Sequence, residues 1–152
     1  GVSQSLARIQ QQSAARTVDL SRELEMFFFH LLLGAARCAR GDVLSGHRFI
    51  KTYALDELLT LLVQGLQGVE GDTGLLDNLD PFRRVERVFP ELGARLNRLL
   101  LLEPISAAAE MLELAEAHLR GRMTAYPEQA ARIVRERLAL LAQRGSSGNP
   151  AR

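Results

Sequence analysis

The side chains able to do chemistry are few and scattered. Three histidines, His30, His47 and His118, stand alone, with no His-x-x-x-His pair that would put two imidazoles on one helical face, so the spacing predicts no metal centre. Cys38 is the single cysteine. It has no histidine beside it and reads as a small buried apolar residue, and it excludes a disulfide framework or a Cys-type zinc site within one chain. No glycine-rich phosphate loop and no Gly-x-Ser-x-Gly elbow is present. His30 lies within an apolar stretch, where it is either a core or interface histidine with one satisfied nitrogen or a ligand contact in a helix-lined pocket. His47, Arg48, Lys51 and Asp56 follow as a charged group, with Arg48 and Lys51 on one side of a helix, either as a solvated face or as a site. The most distinctive stretch is Asp80-Pro81-Phe82-Arg83-Arg84-Val85-Glu86. Its paired arginines either join an ion-pair cluster with Glu70, Asp72, Asp77 and Asp80 or present forked donors to an anionic or polyhydroxylated ligand.

These residues need elements to hold them, and apolar spacing supplies the outline. Leu20, Leu24, Phe27, Leu31, Ala35 and Cys38 recur every three or four residues and predict a helix. Met26, Phe29 and Leu33 widen its apolar face, as expected of a central helix or one covered by a second subunit. Ser3 to Gln12 is either a separate helical turn or the beginning of the same helix. Gly41 ends it, so Arg40-Gly41-Asp42 is a helix end and a cap rather than an adhesion tripeptide. Asp42 caps a second helix reaching about Gly68, and Gly68 to Gly74 reads as a loop. Asp80-Pro81 predicts a short third helix, Pro90 a fourth to about Leu102, Pro104 a fifth to about Tyr126 with a weak point at Gly121, and Pro127 a sixth ending near Arg144. The expected fold is all-α, a bundle of five to six helices in one domain over residues 1–144, with 145–152 a disordered tail.

Composition agrees with that class. The chain has 152 residues, 47% of them hydrophobic and 24% charged, enough for one core and too apolar for a disordered chain. Leucine occurs 28 times while aromatics make up 5%, which favours packed helices over sheets. The net charge of +1 gives no case for nucleic acid as a partner. The longest apolar run, Met26 to Ala36, is too short to span a bilayer, and no signal peptide is recognisable, so a cytoplasmic protein without a membrane partner is expected. The chain begins at Gly1, as an excised or processed fragment would.

The segment Asp80 to Leu96, DPFRRVERVFPELGARL, resembles the helical C-terminal half of bacterial antibiotic nucleotidyltransferases, the lincosamide and aminoglycoside types. Val85 stands where that family has Phe. Phe29-His30 through Arg40-Gly41-Asp42 is similar to the first helix of that half, and Asp56-Glu57-Leu58-Leu59 fits its second. The resemblance spans about residues 20–120. It implies a substrate-binding and dimerisation domain, hence a homodimer, acting with an N-terminal nucleotidyltransferase domain on a small drug-like substrate. Magnesium and a nucleoside triphosphate belong to that other domain, whose paired carboxylates this sequence lacks, so the chain alone is expected to be inactive. The substrate-binding candidates are Arg83, Arg84, His30 and Lys51. Glu86, Asp56 and Glu23 are open candidates for a base that takes the proton from the drug hydroxyl. Two other classes fit an all-α, near-neutral chain: a ligand-binding and dimerisation domain of a transcriptional regulator, and a stand-alone helical partner of a separate minimal nucleotidyltransferase.

Overall fold

The computed structural model describes residues 1–66, 76 and 79–147, with the backbone alone for 9–19, 65 and 66. It is all-α, with no strand among the described residues. Helix α1 (Val2–Ala39) is followed by α2 (Val43–Arg48), a π-helical segment (Phe49–Ala54) and α3 (Leu55–Leu66), which form one unbroken helical rod. Then come α4 (Val85–Val88), α5 (Pro90–Leu100), α6 (Pro104–Leu119) and α7 (Glu128–Ser147).

Helix α1 is the axis of the molecule. It packs on α2, the π segment, α3, α6 and α7, while α3 and α7 each lean on α6. This explains why its apolar face is so wide: Leu24, Phe27, Phe28, Leu31 and Ala35 are all buried, against partners on several sides. Leu58, Leu59, Leu61 and Leu62 of α3 and Met111, Leu112 and Leu114 of α6 complete the centre. Each such side chain stabilises the fold by about 1.5–3 kcal/mol through burial. Phe27, Phe28 and Leu31 therefore belong to the core of the single chain. Val2, Leu6, Met26 and Phe29 of this helix are exposed. No described helix is long and apolar enough to cross a membrane.

Local chemistry explains the boundaries. At the end of α1, Gly41 takes φ +91°, its N–H donates to the Cys38 carbonyl and the Asp42 N–H donates to the Arg37 carbonyl. That pair of bonds needs a left-handed residue, and glycine supplies it without a Cβ penalty. Pro90 and Pro104 open α5 and α6, as their sequence positions predict. The Glu103 carboxylate caps α6 by accepting from the Ser106 and Ile105 N–H groups at 2.7 and 3.3 Å.

Three boundaries and one helix interior differ from expectation. The helix begun by Asp80-Pro81 is delayed: Asp80 accepts from the Phe82 N–H at 3.2 Å, but Arg84 enters the left-handed region at φ 74° and α4 starts only at Val85. Helix α6 stops at Leu119, just before the weak point at Gly121, rather than at Tyr126. Helix α7 runs through Gly145 to Ser147, so the first three residues of the expected tail are helical. The second helix is expected to be regular, yet it contains the π segment. The expected loop at Gly68 to Gly74, the acidic residues Glu70, Asp72 and Asp77, and the tail 148–152 lie outside the described residues.

Candidate functional site

The site begins with two glycines. A Cβ on Gly46 would lie 2.0 Å from Cys38 Sγ and 2.9 Å from the Gly34 carbonyl oxygen, and one on Gly34 would lie 2.6 Å from Ile50 Cγ1. Only residues without a side chain allow α1 and the following rod to approach this closely. His30 sits one turn before Gly34 along α1. On the rod, the π turn places Phe49, Tyr53 and Glu57 at successive four-residue steps facing it.

The result is a histidine held in an aromatic wall. The His30 ring lies 5.8 Å from Phe49 in a stacked arrangement, 5.5 Å from Tyr53 and 5.4 Å from Phe29. Phe49 and Tyr53 meet edge to face at 5.5 Å. Two arginines cover this wall, Arg37 over Phe49 and Arg48 over Tyr53, with guanidinium carbons 5.8 and 5.3 Å from the ring centroids.

Glu57 fixes the ring. His30 Nδ1 lies 2.8 Å from Glu57 Oε1 and 2.9 Å from Oε2, and both side chains are only 14% exposed. An ionised carboxylate only accepts, so the proton of the neutral ring sits on Nδ1 and donates to Glu57. Nε2 is left as the basic nitrogen, with no hydrogen-bond partner among the described residues. A buried carboxylate orienting an imidazole in this way is the arrangement that prepares a ring nitrogen to receive a proton or a hydrogen bond. Burial pushes the Glu57 carboxyl above its ordinary value; the His30 hydrogen bond and charge pull it down, and Glu23 and Asp56 push it up again. Desolvation also raises Asp56. Glu23 and Asp56 are thus close enough to act on the Glu57 carboxylate.

The candidates read from sequence separate into three places. His30 is at the centre of the aromatic wall, with Glu23 and Asp56 beside its carboxylate partner. Lys51 points elsewhere: its Nζ donates to the Leu100 carbonyl at 3.0 Å and to the Leu102 carbonyl, closing the end of α5. Arg83 and Arg84 are exposed on the turn leading into α4, which packs on α5. Glu86 is also there, accepting from Asn97 Nδ2 at 3.5 Å, with its Cα 2.7 Å from where a Gly93 Cβ would be. Helix α5 in turn leans on α6 and has no broad contact with α1 among the described residues. Sequence reasoning missed Glu57 as the partner of His30, and it missed Phe49, Tyr53, Arg37 and Arg48 as the wall. The signal available was the pair Gly34 and Gly46: as a hairpin contact it sets the register that brings position 30 opposite 53 and 57.

No group of three or more His, Cys, Asp or Glu side chains that could hold a metal ion occurs among the described residues. Comparison with protein-family models, with curated proteins and with solved structures gives no match.

Proposed function

We propose that this chain is the substrate-binding and dimerisation helical domain of an antibiotic nucleotidyltransferase, and that His30 is its contact with the substrate hydroxyl. The observation that carries the reading is the His30–Glu57 pair, 2.8 Å apart and largely buried, which leaves Nε2 as an oriented acceptor. The resemblance of Asp80 to Leu96 to that family supports it from the sequence side. The hydroxyl proton passes to Nε2 as its oxygen becomes more nucleophilic, and Glu57 stabilises the imidazolium that results. Phe29 and Tyr53 offer apolar faces to the body of the substrate, and Arg48 offers donors to its hydroxyls. Nucleotide and magnesium belong to the partner domain. Met26, exposed at 39%, is an apolar residue of α1 offered for subunit contact.

The test is nucleotidyl transfer by the enzyme containing this domain, with lincosamide and aminoglycoside acceptors. His30→Gln keeps a polar group of similar size but cannot take the proton, so kcat should fall by about 10²–10⁴ with little change in KM. Unchanged kcat in a folded His30→Gln enzyme overturns the role of His30, and absence of transfer to either acceptor class by the wild type overturns the assignment.

A further inference from the structure

A concave site, apart from the His30 wall, lies between the start of α5 and the C-terminal half of α6. Its volume is about 580 Å³, in the range of small-molecule clefts. Phe89, Leu92 and Leu114 form an apolar floor and are all buried. Three polar side chains, Glu91, Arg95 and His118, share the lining.

None of the three is fully used among the described residues. His118 Nδ1 donates to the Leu114 carbonyl one turn back at 2.9 Å, which fixes the tautomer and leaves Nε2 as an acceptor without a partner among the described residues. Glu91 and Arg95 lie one turn apart on the same side of α5 but do not pair with each other. Arg95 is held only loosely by Glu110, at 4.0 Å, with its side chain 39% exposed. The Glu91 carboxylate is unpaired among the described residues.

We propose that this cleft binds a zwitterionic α-amino acid with a bulky apolar side chain. A simple anion attracted to Arg95 would face Glu91, and a simple cation attracted to Glu91 would face Arg95. A zwitterion meets both needs. Its carboxylate pairs with the Arg95 guanidinium, its ammonium donates to Glu91 and to His118 Nε2, and its side chain rests on Phe89, Leu92 and Leu114. This assignment is independent of the role proposed for His30.

The test is titration of the ¹⁵N-labelled full chain with L-phenylalanine, phenethylamine and 3-phenylpropionate, followed by amide chemical shifts. L-Phenylalanine should give saturable shifts at residues 88–95 and 114–118 and should bind at least about tenfold more tightly than either analogue lacking one charge. Arg95→Gln should weaken L-phenylalanine by about tenfold without weakening phenethylamine, and Glu91→Gln should weaken L-phenylalanine by about tenfold without weakening 3-phenylpropionate. The proposal is overturned by absence of saturable shifts up to about 10 mM, by shifts confined to other residues, by equal binding of the three probes, or by Arg95→Gln binding like the wild type.

Discussion

Replacing Gly46 with alanine tests the contact that positions the site. The added methyl carbon would stand 2.0 Å from Cys38 Sγ and 2.9 Å from the Gly34 carbonyl oxygen, against an ordinary carbon contact of about 3.5–4.0 Å. The sulfur can rotate away, but the carbonyl is backbone, so α1 and α2 must separate. Such overpacking costs about 1–3 kcal/mol. Alanine recovers about 1 kcal/mol of helix propensity over glycine, leaving a net loss of up to about 2 kcal/mol. For a chain of this length that lowers Tm by up to about 8 °C. Adding Cys38→Ala removes the sulfur contact but not the carbonyl contact, so rescue should be partial, with a coupling of about 0.5–1 kcal/mol. Chemical denaturation of the four proteins of this cycle reads these values directly. A Gly46→Ala protein more stable than the wild type, or additive Gly46→Ala and Cys38→Ala effects, would refute a close hairpin contact here.

Other outcomes follow from the same geometry. Glu57→Ala leaves His30 Nδ1 without its acceptor and should cost about 1–3 kcal/mol, whereas Glu57→Gln keeps an acceptor and should cost less than 1 kcal/mol, both by urea unfolding. Because burial raises the folded-state pKa of Glu57, its contribution is fully present below the unfolded value of 4.5 and is lost as pH rises through the folded one; the wild type should therefore lose stability relative to Glu57→Gln over that window. Lys51→Met removes the donor from the Leu100 and Leu102 carbonyls and should lower stability by about 0.5–2 kcal/mol without altering the His30 ring signals. Arg84→Ala keeps a Cβ at φ 74° and so leaves the backbone cost in place; because Arg84 lies apart from the His30 site, the enzyme containing this domain should keep both its KM for the drug and its helicity by circular dichroism.

The helical outline was legible because its signals are local. Pro90, Pro104 and Gly41 act through φ and through missing or added freedom at single positions, and the spacing of Leu24, Phe27 and Leu31 reports the buried face of α1 directly. What the sequence concealed depends on contacts between segments. Phe49 to Ala54 carries no glycine or proline to mark a π turn, and within it Ile50 packs closely on Gly34. Arg84 adopts a left-handed conformation although neither glycine nor asparagine stands there. The site was half legible. His30 stood out as a polar residue on an apolar face, but its partner Glu57 lies 27 positions away and is flanked by Asp56, an equally plausible carboxylate from sequence alone. Lys51 looked like a binding group for the same reason that any lysine on a helix does, and only the approach of the α5 carbonyls shows what it holds.

The most direct measurement is the protonation of the His30 ring itself, by ¹⁵N NMR of its two nitrogens at a pH where the ring is neutral. Glu57 accepting from Nδ1 requires a protonated Nδ1 and a bare Nε2, with both signals collapsing toward tautomer exchange in Glu57→Ala. A proton resident on Nε2, or a wild-type ring that exchanges between tautomers as the Glu57→Ala ring does, would contradict the claim that this carboxylate prepares His30 to receive a proton.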